Sequence, residues 1–195
     1  MRAITPACKE VAQYLATRLG VDRPPIRRFA DESGTSEVFV ATFRDNPQSG
    51  VNTVATIGLS EFPLMKEGLE FSSRVEFVAA AGSSYDGIDN IVATLAFGVM
   101  NSKWFCAPGV IFPGVVALHP GVSNTMTDIY FSYPFLWDDR LKSSEIAGRT
   151  VAWLLAVPIS ERETEYARKH GPQKLEQLFE QSNIDIFNLN RDSVV

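Results

Sequence analysis

Thr150 to Glu163 reads TVAWLLAVPISERE, and this stretch decides the fold. Val151, Trp153 and Leu155 would face one way from a strand, Leu154 and Ala156 the other, and both sets are apolar. A half-wet strand alternates apolar with polar residues; one that is apolar on both faces belongs at the centre of a sheet covered from both sides. Ser160 and Glu163 then stand at the S-x-x-E spacing of a capping box, which opens a helix. The stretch therefore predicts a central strand running directly into a helix.

Working outward, Gly171 closes that helix and Pro172 opens another, at a position where no amide donor is missed; Leu175, Leu178 and Phe179 supply its apolar stripe. Upstream, residues 7–20 predict a first helix with Val11, Tyr14, Leu15 and Leu19 on one face. "DRPP" forbids its continuation, since proline offers no donor and disfavours helix in the residue before it. "IRRFAD", "EVFVATF" and "VNTVATIGLS" read as strands divided by the turn-forming "ESGTS" and "RDNPQSG". In the second strand Val38 and Val40 oppose Phe39, Ala41 and Phe43. "FSSRVEFVAAA" is the fourth, where Phe71, Val75 and Phe77 alternate with Arg74 and Glu76, predicting a buried and a wet face. Asp86 is the candidate N-cap of a helix whose stripe is Ile88, Ile91, Val92, Leu95 and Val99. "TDIYFSYP" is a further strand. Short turns between successive strands favour antiparallel pairing. The expected class is α+β, a largely antiparallel central sheet with helices packed against it. Residues 1–195 are expected to form a single domain with an N-terminal helical unit at 1–20.

Totals narrow the function. Of 195 residues, 45% are hydrophobic and 21% charged, which is ample for a core and unlike a disordered chain. A net charge of −5 repels phosphate backbones, and "RPPIRR" carries only three arginines, so no nucleic-acid partner is expected. Cys8 and Cys106 lack any C-x-x-C spacing and read as reduced thiols. No signal peptide is apparent, and "IVATLAFGVM" is about half the ~20 residues that span a bilayer, so no membrane association and a cytoplasmic location are expected.

Catalytic patterns fail in turn. No G-x-S-x-G is present for a nucleophile elbow, and His119 sits in a turn before Pro120. Two histidines, with no H-E-x-x-H, make a poor zinc set. "GSSYDG" lacks the glycine spacing and lysine of a phosphate loop, and Asp86 would repel the anion. Neither a metal nor a cofactor is expected. The alternative left open is a metal-assisted hydrolase using Asp128, Asp138 and Asp139. What remains is aromatic: Trp104, Tyr130, Tyr133, Phe135 and Trp137 lie in one span, with Phe131 and Phe135 expected in the core. "YPFLWDD" joins a proline-stiffened loop, a tryptophan and two negative charges, a combination suited to protein recognition. Tyr133, Trp137, Asp138 and Asp139 are the candidate contact residues. A peptide-binding adaptor that adds a partner strand to a free sheet edge is a further alternative.

The order of landmarks resembles the suppressor of fused-like family over residues 25–195. They are "NTVATIGLS", "RVEFVAA", a helix, a Gly/Pro-rich segment with "LHPG", "DIYFSYPFLWDD", and a C-terminal part running from "VPIS" through "LEQLFEQ" to "NRDSVV". The resemblance is to that family's bacterial single-domain members. It implies a mixed α/β domain with no known catalytic activity and no cofactor. The animal proteins clamp an extended peptide between two domains, and that clamp is not expected intact in a chain that stops after the first. Bacterial relatives are associated with polymorphic toxin systems, where many are regarded as immunity proteins. The resemblance thus implies a protein partner, a cognate toxin encoded nearby.

Overall fold

A proline at the head of a helix gives up an amide that has no intrahelical acceptor there, and Pro6 uses that freedom. The computed structural model describes residues 4–195. Its first helix, α1, runs Pro6–Leu19; the Thr5 hydroxyl accepts from the Cys8 amide and Gly20 closes the helix at φ 72°. Cys8, Val11, Leu15 and Leu19 are its buried stripe. Of the expected N-terminal unit, residues 1–3 lie outside the described residues.

The strands follow as β1 (Ile26–Ala30), β2 (Glu37–Phe43), β3 (Val51–Ile57), β4 (Met65–Lys66), β5 (Leu69–Glu70) and β6 (Arg74–Gly82). Next come helix α2 (Ile88–Ser102), β7 (Ile111–Phe112) and β8 (Asp128–Ser132). A kinked 3-10 segment, Phe135–Leu141, leads to β9 (Ser144–Ile146) and β10 (Arg149–Ile159), and helices α3 (Glu161–His170) and α4 (Pro172–Ser182) finish the order. One sheet runs β1-β2-β3-β6-β10-β8-β7, with β9 also paired to β10; β4 and β5 form a separate hairpin. Every pairing is antiparallel except β6 with β10, where Val151 stands opposite Arg74 and Leu155 opposite Val78.

β10 is central, as its two apolar faces predict. Leu154 and Ala156 join a core with Val38, Val40, Phe77 and the α2 stripe of Ile88, Ile91, Val92, Leu95 and Val99. Val151, Trp153 and Leu155 join a second core, on the other face, with Phe43, α1, Ala167 of α3 and Leu175 of α4. Cys8 and Cys106 are buried free thiols, one in each core. The capping box forms: Ser160 Oγ accepts from the Glu163 amide and Glu163 returns a carboxylate oxygen to the Ser160 amide. Glu163 is fully buried and receives the Arg191 guanidinium at 2.6 and 3.0 Å, which sews the "NRDSVV" tail onto the mouth of α3.

Three expectations need correction. β6 has no wet face: Glu76 is 0% exposed. Its carboxylate accepts from Thr56 Oγ1 (2.6 Å), the Gly58 and Ser60 amides (2.9 and 3.0 Å) and Ser60 Oγ (2.7 Å), donors that make burial of a charge-bearing group tolerable. Asp86 does not cap α2; Gly87 holds that position at φ 89°, with no side-chain cap, because its left-handed backbone suits glycine. Phe131 is in the core, but Phe135 is 58% exposed.

Candidate functional site

The "YPFLWDD" segment begins where β8 ends. Ser132 is the last residue of β8 paired to β10, and Pro134 turns the chain outward into the 3-10 segment. Tyr133 is 70% exposed and, with Phe135, forms an aromatic ridge above the sheet.

Trp137 takes the opposite course. The structure gives it no accessible surface and makes it the largest of the fully buried side chains, so it is not a contact residue. A buried indole needs an acceptor. Trp137 Nε1 donates to Asn46 Oδ1 at 3.0 Å and to Thr53 Oγ1 at 3.2 Å, while Asn46 Nδ2 donates to the Leu19 carbonyl at 3.1 Å. The tryptophan is therefore the root by which the ridge is fixed to β3, the β2–β3 turn and the end of α1.

A second tie comes from Tyr14 of α1, whose hydroxyl lies 3.1 Å from the Lys142 carbonyl and 3.3 Å from that of Arg140. Arg140 Nε in turn donates to the Trp137 carbonyl at 3.1 Å. Between these anchors Asp138 is held at φ 50°, ψ −134°, a conformation that costs a non-glycine residue energy. Asp138 and Asp139 are both exposed.

The ridge separates two grooves. One, of about 400 Å³, places Tyr133 and Phe135 with Asp138, Asp139, Lys142 and Trp153. Its floor includes Ala152–Leu154, the stretch of β10 left between its pairings with β8 and β9. The other, of about 550 Å³, lies between the ridge and α4, where Phe179, Ile184 and Ile186 are joined by Glu176 and Glu180. Tyr130 donates its hydroxyl to Glu176 at 2.8 Å; burial first, then this carboxylate, push the phenol pKa up, so it stays a neutral donor.

The structure thus brings Tyr133, Asp138 and Asp139 together and sends Trp137 inside. It adds Glu176 and Glu180, which the sequence reading passed over. Their signal was available: they stand four apart on a helix, flanking Phe179 on the same side.

The carboxylate set of the hydrolase alternative does not converge. Asp128 is buried at the far end of β8, accepting from the Gly114 amide at 2.8 Å and from the Thr164 hydroxyl. A five-residue strand at ~3.3 Å per residue separates it from the ridge. No group of three or more His, Cys, Asp or Glu that could hold a metal occurs among the described residues. His119 Nε2 lies 2.9 Å from the Thr94 hydroxyl of α2, and burial pushes its pKa down against the opposing charge of Asp89, so its contact is with a helix side chain and not with the other candidate groups. The free edge required by a strand-adding adaptor exists as β1, unbulged over five pairs. Its Arg27 and Arg28 are engaged by Asp89 and Glu37, and the hollow beside it is of mixed lining, with Asp86, Asp89 and His119 alongside Leu118, Pro120 and Val122, unlike the apolar groove that mode needs. No helix among the described residues is long and apolar enough to cross a membrane.

Comparison with known proteins places this architecture. Residues 34–192 match the family model of the suppressor of fused protein (SUFU). The chain belongs to the suppressor of fused family. It is 36% identical over 192 residues to Immunity protein YqcF of Bacillus subtilis (strain 168), covering 98% of this chain and 99% of that relative. A suppressor of fused homologue from Neisseria gonorrhoeae FA 1090 superimposes with a TM-score of 0.73 at 18% identity, over 97% of both chains. Drosophila Suppressor of Fused superimposes at 0.69 and 12% identity; 97% of this chain matches 51% of the fly protein. Those structural likenesses show the fold alone.

Proposed function

We propose that this chain is a non-enzymatic, protein-binding immunity module that neutralises a partner toxin, folded as a single domain and acting in the cytoplasm without a cofactor. The observation that carries the reading is the near full-length similarity to a protein named as an immunity protein. The geometry supports it: an exposed aromatic ridge on a rigid root, flanked on both sides by carboxylates, suits a macromolecular surface better than a small substrate. Tyr133, Asp138 and Asp139 would touch the partner, and Trp137 would hold them in place. Aromatic anchors would supply affinity and the acidic rim the encounter rate, because a chain at −5 attracts a basic partner over a Debye length of ~8–10 Å.

The test is co-expression with the protein encoded beside this gene. Rescue of growth and a salt-sensitive complex on gel filtration are expected. Toxicity that this chain leaves unchanged, with no complex at low salt, would refute the proposal.

A further inference from the structure

The groove between the ridge and α4 has walls of two chemistries, and together they describe one kind of visitor. Phe135, Phe179, Ile184 and Ile186 make it apolar. Glu176 and Glu180 stand one turn apart on its helical side, and neither takes part in a salt bridge among the described residues. Lys174, the nearby cation of α4, bonds Gln177 instead. Arg191 lies 5.2 Å from the Phe179 ring, but its charge is engaged by Glu163. Half-buried Glu176 has the neutral Tyr130 hydroxyl as its partner.

An apolar ligand would leave two carboxylates partly desolvated against it. A small cation would gain nothing from the apolar wall. A long aliphatic stem ending in a planar cation satisfies both, since it covers apolar surface along its length and bridges two carboxylates at its tip. Guanidinium also stacks on aromatic faces, as ammonium does less well, and Tyr133, Phe135 and Phe179 line this groove.

We propose that this groove receives an arginine side chain presented by the partner protein, its stem on Phe179 and Ile184 and its guanidinium between Glu176 and Glu180. The proposal rests on the reading of this face as the partner-binding surface, and its test does not require the partner. n-Butylguanidinium is titrated into the isotopically labelled protein and followed by backbone amide shifts. Saturable shifts at Glu176, Phe179 and Ile184 are expected, weakened about five-fold in the Glu176→Gln/Glu180→Gln variant, the difference between charge-assisted and neutral hydrogen bonds. n-Pentanol and n-butylammonium should bind more weakly.

Equal binding of n-pentanol, unchanged affinity in the double variant, or shifts confined to other faces would overturn the groove assignment. Equal binding of n-butylammonium would overturn arginine. The variant keeps an acceptor for Tyr130, so its melting curve should match wild type. If the neighbouring toxin is neutralised equally well by wild type and the double variant, this inference falls while the immunity reading stands.

Discussion

Replacing Trp137 by alanine is expected to damage the fold before it damages binding. The side chain is 0% exposed and its Nε1 is shared between Asn46 Oδ1 and Thr53 Oγ1. Truncating a buried tryptophan costs about 3–5 kcal/mol in lost transfer and cavity terms. Asn46 Oδ1, itself buried, would be left with a marginal 3.4 Å approach from Thr53, adding about 1–2 kcal/mol for an ill-satisfied acceptor. The sum, about 5 kcal/mol, is a large share of the ~5–15 kcal/mol that holds a domain folded. At ~2–4 °C per kcal/mol for a chain of this length, Tm should fall by about 10–20 °C. Trp137→Phe keeps most of the ring and loses the hydrogen bonds, for about 2 kcal/mol. Scanning calorimetry and urea unfolding of the two variants give both figures. An alanine variant melting within about 3 °C of wild type would refute the reasoning and return the indole to the surface.

Other outcomes follow from the same geometry. Asp138→Gly should raise stability by about 1 kcal/mol, the relief of a strained φ less the added freedom of an unfolded glycine. It should also weaken the partner complex; a Gly variant less stable than Asp138→Ala would contradict the strain. Burial raises the Glu76 pKa, against the hydrogen bonds from Thr56, Ser60 and Gly58 that lower it, so folding is less favourable with this group charged than with it protonated. Its contribution is then fullest below the unfolded value of ~4.3 and is lost as pH rises through the folded pKa. Urea unfolding from pH 4 to 8 should show wild type losing ground to Glu76→Gln as pH rises; wild type gaining ground would reverse the sign. Glu76→Ala should cost about 3 kcal/mol or more at any pH in that range, because the Gly58 and Ser60 amides lose their acceptor.

What could be read from the chain was whatever local periodicity enforces. The α2 stripe, the opposed faces of Val38/Val40 and Ala41/Phe43, the two-sided β10 and the Ser160–Glu163 box all depend on neighbours within a few residues. The misread positions depend on partners far away. Glu76 looked solvated because its donors, Thr56 to Ser60, lie 16–20 residues upstream. Trp137 looked like a surface anchor because Asn46 and Thr53, which answer its indole, are 91 and 84 residues distant. Half of the candidate site was invisible for the same reason: the wall facing Tyr133 belongs to α4, and nothing near "YPFLWDD" announces it. Polar side chains advertise their type locally and their burial only through tertiary structure.

The sheet's spatial order also bears on biosynthesis. β1, β2, β3 and β6 can assemble as a meander as they emerge, yet the neighbour of β6 on its other side, β10, is made some 70 residues later and must enter between β6 and β8. Until then the nascent chain displays an open, alanine- and valine-rich border along β6, the kind of border that templates aggregation. Fragments cut before Arg149 should therefore be insoluble rather than partly active, and ribosomal pausing upstream of β10 should prolong dependence on chaperones.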